Sequence, residues 1–185
     1  MASTAESYVF GDTEGNREFL RLRQIETLLD PASWRVIQRA GPRAGSRCLE
    51  VGAGAGSIAS GLADRVGPSG SVVALDVDPR FLGRDRRANV EIVRHDIRSW
   101  GGRSDFDLVH ARYVLIHMPD PERALEQMVA SLKPGGWVAL EEPDFLAARF
   151  AGGEGEFAGA FQRVNAALEA MFRSRGIAGA AGSGP

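Results

Sequence analysis

The segment that most constrains the fold is a short apolar strand that leads directly into a glycine-rich loop and then into a helix. The strand is predicted over 47–51, glycines follow at alternate positions (Gly52, Gly54 and Gly56), and helical spacing begins at Ile58. Glycines let such a loop turn sharply and approach a ligand closely, and amides at the helix N-terminus favour a carboxylate or phosphate. The segment therefore predicts a cofactor site at the end of a strand, although the same loop serves several nucleotide cofactors.

Strands and helices alternate along most of the chain. Further strands are predicted over 71–75, 89–94, 106–109 and 137–140, and helices over 58–66, 79–85, 121–132 and 157–172. Short apolar strands separated by helices are typical of a parallel sheet with both faces covered. We therefore predict an α/β fold with a doubly wound, Rossmann-like parallel sheet.

The two ends of the chain differ from this pattern. The first 45 residues predict a helical segment in which Glu18–Leu29 buries one apolar face and a second, short helix begins after Asp30-Pro31. Residues 176–185 are almost entirely Gly, Ala and Ser and predict a flexible tail. The predicted domains are a helical lid at 1–45, a cofactor-binding domain at 46–175 and the tail at 176–185.

Charge, cysteine and histidine content bear on the class of protein. There are 22 Lys and Arg against 24 Asp and Glu, a net charge of -2, which gives a nucleic-acid interface no support. The single cysteine, Cys48, and three scattered histidines predict neither a disulfide nor a metal site. Because no apolar run is long enough to span a membrane and no signal-peptide layout begins the chain, we expect a cytoplasmic protein without a membrane or nucleic-acid partner.

Asp76 stands where a ribose is usually bound. It ends the second predicted strand, twenty residues after Gly56. Doubly wound folds place an acid at this point against ribose hydroxyls. Because Gly54-x-Gly56-x-x-Ala59 also satisfies a loose dinucleotide fingerprint, an NAD(P)-binding oxidoreductase is one interpretation of these residues.

The order of the motifs resembles a known family. Glu50-x-Gly52-x-Gly54-x-Gly56 is similar to motif I of the class I S-adenosylmethionine-dependent methyltransferases of small-molecule type. Segments 74–78, 93–97, 106–112, 116–121 and 132–136 resemble later segments of that family, in the same order. The resemblance implies S-adenosylmethionine as cofactor, the strand order 3-2-1-4-5, an N-terminal helical lid, and methyl transfer to a small organic acceptor.

The resemblance also implies which residues bind the cofactor. Gly52, Gly54 and Gly56 would pass under its methionine portion, and Glu50 would order that loop and the water or amino group beside it. Asp76 would hold the ribose hydroxyls.

The adenine would be bound by the ends of strands two and three. Val77 would pack on the adenine face. The Asp96 carboxylate would accept from the 6-amino group, while the Ile97 amide would donate to a ring nitrogen.

The methyl-donating side and the acceptor are less well marked. His110 would border the methyl group through its backbone, and Tyr8 and Arg21 would close over the site. No residue identifies a general base, and the two candidates for mutation are His117 and Glu142.

Two alternatives to an active methyltransferase stay open. An NAD(P)-binding oxidoreductase fits the glycine loop, but such domains commonly place this strand near the N-terminus, and the segments His95-Asp96 and Leu132–Gly136 have no role in it. A cofactor-binding remnant without turnover fits the C-terminal end, since 176–185 is too short for the hairpin of strands six and seven that the family usually carries. Strand five would then be an exposed edge through which the chain could self-associate.

Overall fold

The computed structural model describes residues 15–83, 87–101, 104–143 and 156–174. Its helices are α1 (Gly15–Ala40), α2 (Ser57–Val66), α3 (Pro121–Ala130) and α4 (Glu156–Ser174). Its strands are β1 (Arg47–Val51), β2 (Ser71–Asp76), β3 (Val90–Arg94), β4 (Phe106–Arg112) and β5 (Leu132–Glu141). Within these ranges, no helix is both long enough and apolar enough to span a bilayer.

The strands form a five-stranded parallel sheet in the order β3-β2-β1-β4-β5. This order confirms the prediction. β1 pairs with β2 on one side and β4 on the other, so Val51 lies opposite both Leu75 and Ala111. The carboxyl ends of the central strands therefore meet at one edge, where the chain order reverses between β1 and β4. Sheets of this kind bind ligands at that crevice.

Different helices cover the two faces of the sheet. Successive residues of a strand point to opposite faces, and the buried residues divide accordingly into two clusters. Cys48 belongs to the cluster that includes Ile37 of α1 and Leu62 of α2. Its neighbour Leu49 belongs to the cluster that includes Met128 of α3. A polar residue on the Cys48 face of β1 therefore points toward α1 and α2.

Helix α1 is continuous, so the predicted break at Asp30-Pro31 is wrong. A proline inside a helix removes one backbone hydrogen bond and costs about 3 kcal/mol or more. Contacts with the sheet and α2 stabilise the helix on both sides of Pro31. The Asp30 carboxylate accepts from Arg112 Nη1 at 2.8 Å and from Ser57 Oγ at 3.1 Å, and Ile37 is fully buried. Asp30 therefore joins α1 to β4 and α2 instead of capping a second helix.

The apolar face predicted for Glu18–Leu29 is only partly buried. Leu28 is 77% exposed, whereas the charged Glu26 is buried. Leu22 and Ile25 line the cavity described below. Helical spacing correctly indicates the helix. Periodicity alone does not show whether the apolar side chains of a helix line a cavity or pack in the core.

The passage from α3 into β5 also differs from the prediction. α3 ends at Ala130, and Leu132, expected on the helix, pairs with Phe106 as the first residue of β5. Among the described residues β5 is an edge of the sheet, and its Trp137 is 59% exposed. Self-association through this edge stays a prediction. The expected tail at 176–185 lies outside the described residues.

Candidate cofactor site

A cavity of about 440 Å³ opens at the carboxyl ends of the strands, between the sheet and α1. This volume lies in the range of small-molecule sites. Of the residues singled out in the sequence, it is lined by Arg21, Glu50, Gly52, Gly54, Asp76, Val77, Asp96, Ile97 and His117. Gly56, His110 and Glu142 lie outside its lining, and Tyr8 lies outside the described residues.

The glycine loop is tied to the end of β2. The Gly52 amide donates to the Leu75 carbonyl at 2.8 Å, and the Gly54 amide donates to Asp76 Oδ2 at 2.9 Å. Gly52, Gly54 and Gly56 have φ values of 68°, 57° and 94°. A side chain is strained in this region of backbone conformation. The turn itself therefore favours glycine at all three positions.

Asp76 holds the backbone with both of its carboxylate oxygens. Oδ2 accepts from the Gly54 amide and Oδ1 from the Asp78 amide, each at 2.9 Å. Burial raises the pKa of Asp76, and these hydrogen bonds oppose that effect. Each carboxylate oxygen has a further lone pair. Asp76 can therefore fix the loop and still accept from a hydroxyl in the cavity.

Asp96 is a fixed anion in the cavity wall after β3. Arg98 binds its carboxylate through Nη2 at 2.6 Å and Nε at 3.1 Å, and the Arg98 amide donates to Oδ1 at 2.9 Å. Although burial opposes ionisation, the hydrogen bonds from Arg98 hold the pKa of Asp96 below its usual range. The neighbouring Ile97 side chain is packed in the core. The segment is thus anchored on both sides.

Helix α1 adds charged groups to the opposite wall. Arg21 binds Glu18 through two hydrogen bonds of 2.6 and 2.8 Å. Glu26 Oε1 accepts at 3.0 Å from the amide of Ser57, the first residue of α2, and its Oε2 accepts from Arg23 at 2.7 Å. A carboxylate of the protein therefore contacts the helix N-terminus at which we expected a carboxylate or phosphate of a ligand.

A buried chain of polar side chains crosses three neighbouring strands. His110 of β4 lies between Glu50 of β1, with Nδ1 2.7 Å from Oε2, and Glu141 of β5, with Nε2 2.9 Å from Oε1. Although burial disfavours the imidazolium, Glu50 and Glu141 raise the pKa of His110 to about 9. Burial raises the pKa of Glu50, an effect that His110 opposes. The prediction for His110 concerned its backbone, and it missed these side-chain contacts.

A second set of contacts joins α1 to the same strand ends. Arg112 of β4 donates to Asp30 Oδ1 at 2.8 Å and to Ser33 Oγ at 2.9 Å. Ser33 is fully buried and donates through Oγ to the Leu29 carbonyl of the same helix at 3.3 Å. Helix α1 is therefore fixed over the cavity through β4.

The segment after β4 contains a backbone feature that sequence reasoning missed. Tyr113 has φ 57° although it is not glycine, its amide donates to the Glu141 carbonyl at 2.8 Å, and it lines the cavity. Such strained residues cluster at functional sites. His117 lines the same part of the cavity, where burial and Arg21 lower its pKa to about 4. Its imidazole is therefore neutral at pH 7.

Glu142, one of the two candidate bases, caps a backbone turn. Its Oε1 accepts from the amides of Val114 and Leu115 at 3.1 and 2.9 Å, and its Oε2 accepts from the Ile116 amide at 3.2 Å. Burial raises the pKa of Glu142, and the three amides oppose that effect. The contacts favour a role in holding the turn that carries His117.

We expect Glu142→Ala to lower the free energy of unfolding by about 1–3 kcal/mol, because three backbone amides, among them that of the buried Ile116, lose a charged acceptor. Glu142→Gln retains one acceptor oxygen and is expected to lose less stability and to keep the methyl transfer that the family resemblance implies. Urea denaturation and transfer assays of the two variants check this. Wild-type stability in Glu142→Gln, combined with a loss of turnover of about 10²–10⁴-fold, would instead identify a general base.

Comparison with known proteins identifies the family. The methyltransferase domain family matches residues 20–177, which is most of the chain. The chain belongs to this family. With the sheet order described above, it is a class I S-adenosylmethionine-dependent methyltransferase domain, whose cofactor is S-adenosylmethionine.

Curated relatives match this chain over part of their length. The ubiquinone/menaquinone biosynthesis C-methyltransferase UbiE of Pseudomonas fluorescens is 36% identical over 115 residues, which cover 57% of this chain and 45% of that protein. Aklanonic acid methyltransferase DauC of Streptomyces sp. strain C5 is 31% identical over 129 residues, covering 65% and 58%. The chain thus spans about half the length of the curated relatives it matches.

Solved structures support the fold. A SAM-dependent methyltransferase from Aquifex aeolicus superposes with a TM-score of 0.51 at 22% identity, covering 78% of this chain and 87% of that one. The 1,6-didemethyltoxoflavin-N1-methyltransferase of Burkholderia thailandensis, solved with 1,6-didemethyltoxoflavin and S-adenosylhomocysteine bound, gives 0.55 at 21% identity, covering 67% and 57%. Both matches support the same overall fold.

Proposed function

We propose that this domain binds S-adenosylmethionine in the cavity and transfers its methyl group to a small organic acceptor. The observation that carries the proposal is the convergence of the glycine loop, Asp76 and Asp96 on one cavity. The cavity fits a ligand with a polar ribose and an apolar base, since carboxylates at the ends of β2 and β3 stand beside Val77 and Phe81. The family match favours this function over an NAD(P)-dependent oxidoreductase.

Different residues of the chain bind the methionine portion and the ribose of the cofactor. Gly52, Gly54 and Gly56 keep the loop close to the methionine portion, and Asp76 accepts from the ribose hydroxyls while it fixes that loop. Glu50 faces the same portion from the end of β1.

The adenine half lies against the ends of β2 and β3. Val77 packs on the ring, the Asp96 carboxylate accepts from the exocyclic amine, and the Ile97 amide donates to a ring nitrogen. The ion pair with Arg98 keeps Asp96 in place as an acceptor.

The acceptor half lies between α1 and the turn after β4. When bound, S-adenosylmethionine supplies a methyl carbon already activated by its sulfonium, so the protein need not build a nucleophile. Holding the reacting atoms in line contributes about 7–11 kcal/mol in well-oriented reactions. We propose that Arg21, with Tyr8, closes this half, and that the neutral His117 accepts a hydrogen bond from the acceptor's proton-bearing atom.

A small acceptor is favoured by the position of the cavity beneath α1. The matched relatives are named for small molecules, among them ubiquinone, menaquinone and aklanonic acid. The chain's net charge of -2 gives no support to a nucleic-acid acceptor.

A transfer assay with methyl-labelled S-adenosylmethionine tests the proposal. The acceptors are panels of small phenols, quinols, enols, carboxylates, amines and thiols, with bulk tRNA and denatured protein in parallel reactions. We expect label in a small molecule. Label only in a macromolecule would overturn the acceptor class, and cofactor binding without transfer to any panel would favour a non-catalytic cofactor-binding domain.

A further inference from the structure

The Glu50–His110–Glu141 chain reaches the cavity only at Glu50, and the proposed function gives no role to His110 and Glu141 behind it. Glu50 is among the cavity-lining residues, while His110 lies behind it with no exposed surface. Neighbouring strands bring the two together because Glu50 and His110 are partners in the register of β1 and β4. Both lie on the sheet face covered by α1 and α2.

Glu50 differs from the other carboxylates in the lining. Asp76 accepts from two backbone amides, Asp96 pairs with Arg98, and Glu26 contacts the start of α2 and Arg23. The hydrogen-bonding partner of Glu50 is the buried His110, through Oε2. A carboxylate has two oxygens and several lone pairs, so Glu50 can bind a cationic group from the cavity while His110 holds it from behind.

We propose that His110 is a positioning residue whose imidazolium holds Glu50 as the acceptor for the α-ammonium group of the cofactor's methionine portion. This inference rests on the proposed function, because it assigns the ammonium of that same cofactor. Glu141 holds the other ring nitrogen of His110, so both N–H groups have an acceptor. Neutral imidazole would offer only one donor to two carboxylates.

The surrounding charges leave Glu50 dependent on His110. Arg112, next along the same face of β4, also favours the ionised form of Glu50, but less than His110 does, and it is paired with Asp30 of α1. Glu141 is itself an anion, and Asp76 lies in the same cavity. Without the imidazolium, burial would favour a protonated Glu50. A protonated carboxyl group cannot attract an ammonium group, so the affinity would then fall as the pH falls.

His110→Gln tests this, because glutamine keeps a hydrogen-bond donor but carries no charge. Calorimetric titrations from pH 5.5 to 7.5 use S-adenosylhomocysteine, which has the α-ammonium, and 5′-methylthioadenosine, which lacks the amino-acid portion. We expect S-adenosylhomocysteine affinity to be nearly constant in the wild type. In His110→Gln, nothing from His110 opposes the effect of burial, which raises the pKa of Glu50. Below that pKa, the affinity of the variant should fall by up to about tenfold per pH unit.

Binding of 5′-methylthioadenosine shows whether His110→Gln affects only the position of Glu50 or damages the fold of the whole site. The affinity for 5′-methylthioadenosine should be the same in both proteins at each pH, since this ligand makes no contact that depends on Glu50 or His110. Equal pH profiles for S-adenosylhomocysteine in the two proteins, or a parallel loss of both ligands in the variant, would overturn the inference. Failure of the wild type to bind S-adenosylhomocysteine at all would overturn the proposed function and this inference with it.

A measurement on the wild type keeps the inference testable if His110→Gln does not fold. Nitrogen chemical shifts of the imidazole should show both ring nitrogens of His110 protonated at pH 7. A neutral His110 ring at that pH would contradict the inference. Glu50→Gln, a mimic of the protonated state, should bind S-adenosylhomocysteine weakly and without pH dependence over the same range.

Discussion

Asp76→Ala is expected to weaken the binding of S-adenosylhomocysteine by about 10- to 150-fold. The carboxylate supplies charge-assisted acceptors that contribute about 1.5–3 kcal/mol, and the expected ribose contacts are lost with it. The Gly54 and Asp78 amides also lose their acceptor, so the loop is no longer held for the methionine portion. Calorimetry at fixed pH and salt measures the change.

Two further variants are controls for the loss of affinity in Asp76→Ala. Asp76→Asn keeps one acceptor oxygen but places an amide NH₂ beside a backbone donor, and its affinity should fall between those of the wild type and the alanine variant. Asp105→Asn removes a half-exposed carboxylate that pairs with Arg47 at the amino end of the sheet, and it should bind normally. Unchanged affinity in Asp76→Ala would contradict the site assignment.

Gly54→Val is expected to reduce cofactor binding by about 100-fold or more. Gly54 has φ 57°, and a Cβ there would lie 3.6 Å from Leu22 Cδ2, on the cavity side of the loop. A branched side chain therefore enters the space assigned to the methionine portion, and the left-handed backbone costs about 1–3 kcal/mol in addition.

Gly45→Val is a matched control for the backbone cost. Gly45 has φ 84° and lies before β1, and a Cβ there meets only Ser69 Oγ at 3.7 Å. Both variants should lose similar stability in thermal denaturation, but Gly45→Val should bind the cofactor as tightly as the wild type once folded. Equal binding in the two folded variants would contradict the placement of the cofactor at Gly54.

The sequence predicts the sheet well because its signals are local. Each strand is a short apolar run and is followed by a turn or helix signal, and the motif order indicates the strand order that the structure confirms. The break at Asp30-Pro31 fails for a physical reason. Contacts of Asp30 with Arg112, which is 82 positions away in sequence, support the helix through the proline, and no local pattern contains that information.

The polar chain behind the cavity was partly accessible from the sequence. Because side chains alternate between the faces of a strand, Glu50 lies on the same face as Cys48, and His110 lies on the same face as Leu108. The predicted strand order makes β1 and β4 neighbours. Pairing those faces would have brought Glu50 and His110 together before the structure. The positive φ of Tyr113 and the capping role of Glu142 depend on the path of the chain after β4, which no residue type signals.

A calorimetric comparison of two cofactor classes tests most directly whether the cavity is an S-adenosylmethionine site. The wild-type domain is titrated with S-adenosylhomocysteine and, separately, with NADH, under identical conditions. We predict saturable binding of one S-adenosylhomocysteine per chain and no measurable heat with NADH. Saturable binding of NADH without binding of S-adenosylhomocysteine would contradict the account.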